Sequence, residues 1–95
     1  MQRRKLSESE IQEHLLELNN WQVVESRLKK RFSFRDFAEA LAFVNKAGEI
    51  AEKLDHHPDI FFGWGYAEFL ITTHSEGGLT ELDFLLAKEI DKLQN

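Results

Sequence analysis

The residues able to do chemistry are gathered between Glu52 and Asp83: Glu52, the run His56-His57-Pro58, Trp64, His74 and Asp83. Three of the four histidines in the chain lie in this stretch, and imidazoles and carboxylates are the side chains that give and take protons near neutral pH. The chain has no cysteine, which excludes disulfides, thiolate nucleophiles and cysteine-bound zinc. No phosphate-binding glycine loop or nucleophile elbow competes elsewhere. The chemistry to be explained is proton transfer by histidines with carboxylate support.

Glu52 and His56 are four residues apart at the end of a predicted helix. That spacing shares a face, so the carboxylate can fix the imidazole's tautomer and favour its protonated form. A histidine at a helix C-terminus is also favoured by the helix dipole without any function. Pro58 disfavours the helical conformation in the residue before it, so His57 is held extended and points elsewhere. His74 is expected at a strand end before a glycine-containing loop, a common place for site residues. Asp83 falls at the third position of a helix capped by Thr80, which accounts for it by capping alone, although capping and function are compatible. Trp64 is either the wall of a flat-ligand site or a core residue. Three imidazoles and a carboxylate would suit zinc or iron, but the spacing matches no helical metal signature such as H-E-x-x-H, and no metal is expected.

Three helices must position these groups, and each starts with a Ser or Thr cap followed three residues later by an acid. Ser7 and Glu10 open the first, with Leu6 stapled to Ile11, and Ile11, Leu15 and Leu18 form its stripe until Asn19-Asn20. Trp21 to Glu25 and Arg27 to Phe32 read as a hairpin. Ser33 and Asp36 open the second helix, spanning 34–56, with Phe32 set against Phe37. Phe37, Leu41, Val44, Ala47, Ala51 and Leu54 recur at helical spacing, and Phe43 and Ile50 widen the stripe beyond what one sheet face needs. Such a rod is expected to pack on the sheet along one side and on another subunit along the other.

Pro58 closes that helix. Asp59 to Trp64 and Ala67 to His74 read as a second hairpin around Gly65-Tyr66, Ser75 to Gly78 as a loop. Thr80 and Asp83 open the third helix. The order α-β-β-α-β-β-α predicts an α+β fold, a four-stranded and mainly antiparallel sheet with three helices on one face.

The 95 residues predict one domain over 1–95, with 42% apolar residues, eight phenylalanines and two tryptophans against 31% charged residues. So short a chain buries a limited core, and association with other copies would help. No apolar run approaches the ~20 residues needed to cross a bilayer, so no membrane partner is expected. The start, Met1-Gln2-Arg3-Arg4-Lys5, is basic but leads into a polar helix with no apolar signal core, and a cytoplasmic location is expected. A net charge of −5 repels a phosphate backbone. The one basic patch, Arg27 to Arg31, alternates Leu28, Lys30, Phe32 with Lys29, Arg31. It reads as the solvated face of a half-buried strand, lysine being common on sheet edges, and no direct nucleic-acid contact is expected.

Taken together, Glu52, His56-His57-Pro58, Trp64, His74 and Asp83 fill the signature spacing of the pterin-4a-carbinolamine dehydratase family, which the chain resembles over these residues and more loosely from Trp21 and the run Phe32 to Phe37. The resemblance implies elimination of water from a 4a-hydroxytetrahydropterin to give the quinonoid dihydropterin, by histidine acid-base catalysis with neither metal nor cofactor, the pterin being the substrate. It implies that His56, His57 and His74 are the acid-base and substrate-orienting trio. It implies further that Glu52 and Asp83 support them, that Pro58 and Trp64 help shape the pocket, and that backbone around Thr73 and Ser75 hydrogen-bonds the pterin edge. Members of the family assemble as dimers and tetramers, and some serve as dimerisation cofactor of a homeodomain transcription factor through the long helix. A homodimer or homotetramer through helix 34–56 and sheet edges is therefore expected. The alternatives are a protein-interaction module and a relative acting on a different pterin.

Overall fold

The computed structural model describes residues 3–94; Met1 and Gln2, part of the basic start, and Asn95 lie outside the described residues. Its elements are α1 (Glu8–Leu15), β1 (Gln22–Val24), β2 (Arg27–Ser33), α2 (Phe37–Leu54), β3 (Asp59–Gly63), β4 (Tyr66–Ile71) and α3 (Glu81–Lys92), with one 3-10 turn (His74–Glu76) before α3. The order and the α+β class are those expected from the sequence. The four strands form one antiparallel sheet in the order β1-β2-β4-β3.

One face of the sheet is dry because alternate residues put Leu28 and Phe32 of β2 beside Ala67, Phe69 and Ile71 of β4, all buried. The helices supply the other half of the core through Phe43, Ala47 and Ala51 of α2 and Phe84, Leu86, Ala87 and Ile90 of α3. Each large side chain buried here stabilises the fold by about 1.5–3 kcal/mol. Phe32 meets Phe69 edge-on with centroids 5.6 Å apart and Phe43 at 4.8 Å, so the aromatic content is concentrated at the sheet–α2 contact. From α1, Ile11 and Leu15 pack on the same core, and His14 stacks on Phe84 of α3.

Several local expectations change. Ser33 ends β2, paired with Tyr66, and Asp36 is the cap of α2, its Oδ1 accepting from the Glu39 N–H at 2.9 Å. The long helix is thus shorter at both ends than 34–56. Phe37 stacks on Phe62 rather than on Phe32. The basic strand β2 is interior, flanked by β1 and β4, because α2 carries the chain to the far edge at β3 and β4 then returns to pair with β2. Lys30 sits on its inner row and is buried against Asp91, whereas Lys29 and Arg31 point to the open face. The second hairpin turns at Trp64-Gly65, since Gly63 pairs with Tyr66 and Gly65 takes φ 83, which glycine adopts without steric cost. The stripe of α2 divides: Ala40, Phe43, Ala47 and Ala51 are buried, and Phe37 and Leu41 remain 45% and 39% exposed.

Candidate functional site

The C-terminal end of α2 sets the site. The Asp55 N–H donates to the Glu52 carbonyl and the His56 N–H to the Ala51 carbonyl, with Asp55 left-handed at φ 51. This is a Schellman closure in which aspartate stands where glycine is usual. The helix therefore ends at Leu54, before Pro58 has to stop it. The reversal also breaks the relation expected between Glu52 and His56, because residues four apart share a face only while the helix continues. Glu52 pairs instead with His57, Oε2 to Nε2, in an exposed position.

His56 turns inward and is only 5% exposed. Its Nε2 meets Asp83 Oδ1. Asp83 has no exposed surface, and its second oxygen accepts from the Thr73 hydroxyl at 2.8 Å and from the Thr80 backbone N–H at 2.8 Å. The Thr73 and Thr80 hydroxyls are 3.0 Å apart. Asp83 thus closes the start of α3 and holds His56 at the same time. A carboxylate is acceptor-only, so it selects the tautomer with the proton on Nε2. Among the described residues every buried side-chain nitrogen and oxygen has a partner, and His56 also lines the adjoining surface.

That surface is a cleft of about 270 Å³ lined by Arg3, Asp55, His56, His57, Thr72, Thr73, His74 and Ser75. Five of the expected site residues meet here: His56, His57, His74, Thr73 and Ser75. His74 opens the 3-10 turn rather than ending a strand, because β4 stops at Ile71. Thr73 is committed to the protein: its N–H donates to the Gly78 carbonyl, its carbonyl accepts from Glu76 and Gly78, and its hydroxyl serves Asp83. Glu52 and Pro58 lie on the other side of His57, in a broader depression of about 650 Å³ between α2 and β3. Trp64, expected to wall the pocket, stands 73% exposed in the β3–β4 turn. It is at the opposite end of strands that run roughly 20 Å from that turn to Thr72.

Arg3, Asp55 and Thr72 were not among the expected site residues. The Arg3 guanidinium donates to the Asp55 carbonyl at 2.8 Å, and the Thr72 hydroxyl to the Ser26 carbonyl in the β1–β2 turn at 2.9 Å. The only local signal was for Asp55, since aspartate tolerates the left-handed conformation better than most residues. Among the described residues no group of three or more His, Asp or Glu side chains is arranged to hold a metal ion, and no helix is long and apolar enough to cross a membrane.

The arrangement can pass protons between a small bound molecule and three imidazoles, one of them fixed by a buried carboxylate. Comparisons with known proteins agree in pointing to one family. Residues 4–93 match the sequence model described as Pterin 4 alpha carbinolamine dehydratase. A Rubrobacter xylanophilus protein provisionally named pterin-4-alpha-carbinolamine dehydratase is 49% identical over 89 residues, covering 93% of this chain and 83% of that one. The crystal structure of a transcriptional coactivator/pterin dehydratase from Brucella melitensis superposes with a TM-score of 0.93 at 38% identity, covering 97% of this chain and all of that one. A pterin dehydratase-like protein identified as a RuBisCO assembly factor in the alpha-carboxysome gives a TM-score of 0.63 at 28% identity, covering 77% of this chain and 84% of that one. With its matched length, its relatives and its fold all in agreement, the chain belongs to the pterin 4 alpha carbinolamine dehydratase family.

Proposed function

We propose that the protein is a dehydratase that eliminates water from a 4a-hydroxytetrahydropterin to give the quinonoid dihydropterin. The observation that carries this reading is the convergence of His56, His57 and His74 on one cleft, with His56 backed by the buried Asp83. In the reaction the carbon–oxygen bond of the carbinolamine breaks, a proton joins the departing oxygen to make water, and the adjacent ring nitrogen loses its proton as the carbon–nitrogen double bond forms. Near neutral pH, imidazoles can supply both transfers.

The geometry favours a division of labour. With the Nε2 proton of His56 held by Asp83, the lone pair on Nδ1 is the one left to accept the ring-nitrogen proton. His57, paired with Glu52 at the rim, and His74 across the cleft are placed to deliver the proton to the leaving hydroxyl and to orient the ring. No step in this scheme calls for a metal or a cofactor. The test is the absorbance time course of chemically generated 4a-hydroxytetrahydropterin with and without the protein, with His57→Ala as control. Acceleration that disappears in the variant supports the reading; a folded protein that leaves the spontaneous rate unchanged overturns it.

A second reading, an interaction module, draws support from Phe37 and Leu41, which stand exposed on α2. The names of the two solved relatives attach coactivator and assembly roles to those proteins. A homodimer or homotetramer through the same helix would cover this surface equally. The two readings separate by experiment, because a surface substitution on α2 changes assembly and leaves dehydration in place.

A further inference from the structure

One wall of the histidine cleft is built by the N-terminal segment, which is strapped across the loop before α3. The Leu6 N–H donates to the Leu79 carbonyl at 2.8 Å, and Leu6 is buried. The stem of Lys5 lies over Gly78 so closely that a Cβ there would come within 3.0 Å of Lys5 Cε. Arg3 follows from this anchor, reaches across to the end of α2 and donates to the Asp55 carbonyl. Its guanidinium is therefore held at the cleft by a neutral acceptor, which uses one of five donors and none of the charge.

Asp83 is bound to His56 and Glu52 to His57, and among the described residues Arg3 forms no ion pair, although the Asp55 side chain belongs to the same cleft. A permanently charged planar fork with donors to spare among the described residues, facing a cleft in a protein of net charge −5, is a local exception to the overall field. Dehydration itself has no use for it, since three imidazoles cover both proton transfers.

Resting on the pterin reading given above, we propose that Arg3 is a substrate-recognition residue whose guanidinium takes an anionic oxygen group, a phosphate or carboxylate, carried on the side chain of the pterin. The ring lies among His56, His57 and His74, and the substituent extends toward the N-terminal strap. The substrate class is then an acidic pterin rather than a neutral one.

The test is isothermal titration of the full chain with 6-hydroxymethylpterin and with its phosphate ester, for the unaltered protein and for Arg3→Gln. The ratio of the two affinities is the readout. A charge-assisted hydrogen-bonded contact predicts that the ester binds about tenfold more tightly to the unaltered protein, and that in Arg3→Gln the ratio falls to near one with both ligands still bound. Equal affinities in the unaltered protein, or a preference that survives in Arg3→Gln, would overturn the assignment while leaving the pterin reading intact. Failure of both compounds to bind an unaltered protein that still accelerates dehydration would overturn this inference alone, and failure to bind together with no acceleration would overturn the pterin reading with it.

Discussion

Asp83 reaches His56 from the first turn of α3, 27 residues away in the chain, and the same carboxylate caps that helix. Stability and site geometry therefore share one side chain. Asp83→Asn keeps the size but cannot accept at every contact, and leaves one buried group unpaired. We expect a loss of about 1–3 kcal/mol in unfolding free energy. If His56 acts as proposed, turnover falls by roughly 100-fold or more. Urea denaturation and steady-state rates, measured on the same preparation, check the two effects separately.

His57 and His74 are exposed, so their removal leaves packing untouched. His57→Ala and His74→Ala are each expected to hold unfolding free energy within about 0.5 kcal/mol of the parent and to lower dehydration by roughly 100-fold to 10,000-fold. Full activity in both variants would remove them from the mechanism.

Lys30 is 9% exposed, donates to Asp91 at 2.8 Å and lies 4.5 Å from the centre of the Phe32 ring. Trp21 Nε1 donates to the same carboxylate at 3.0 Å, tying the residue before β1, the strand β2 and α3 together. Lys30→Ala strips Asp91 of its charge partner and is expected to cost about 3 kcal/mol. The cost should appear as a lower denaturation midpoint with an unchanged slope.

The hydrogen bond from Arg4, reinforced by the Ser7 backbone N–H, holds the Glu10 carboxyl at about 2, down from 4.5. A lowered folded-state value means that its contribution is complete above 4.5 and is lost as pH falls through about 2. Hydrogen exchange in α1 should therefore quicken as pH drops across that window once intrinsic rates are divided out. Glu10→Gln should show the weakened protection already at neutral pH, and unchanged protection in the variant would refute the link.

Leu41→Glu addresses the surface of α2. Phe43, on the same helix, is buried and would disturb the core, whereas Leu41 is exposed. The expectation is a smaller assembly by light scattering, with dehydration per subunit within about twofold of the parent, since the substitution lies outside the cleft. Unchanged assembly would clear this face of the role.

Much of the frame was legible in the sequence. Alternation and helical spacing report how one element meets a core, and capping residues report where helices start, because both are settled within a few residues of chain. Hence the order of elements, the antiparallel sheet and the boxes at Ser7 and Thr80 could be read directly. The family spacing also brought His56, His57 and His74 forward, and they do share a cleft. Local rules failed at Ser33, which they assign as a helix cap, whereas pairing with Tyr66 makes it the last strand residue.

Partnership was decided only by the tertiary structure. Glu52 takes His57 because Asp55 reverses the chain, and His56 is thereby free to meet Asp83. Arg3 joins the site from 52 residues away through a backbone carbonyl, a contact with no residue pattern to announce it. Trp64, inside the signature in sequence, lies at the far end of the sheet in space, because a strand carries its two ends apart by its own length. Spacing along the chain fixes faces and turns, whereas contacts between distant residues depend on how those faces pack.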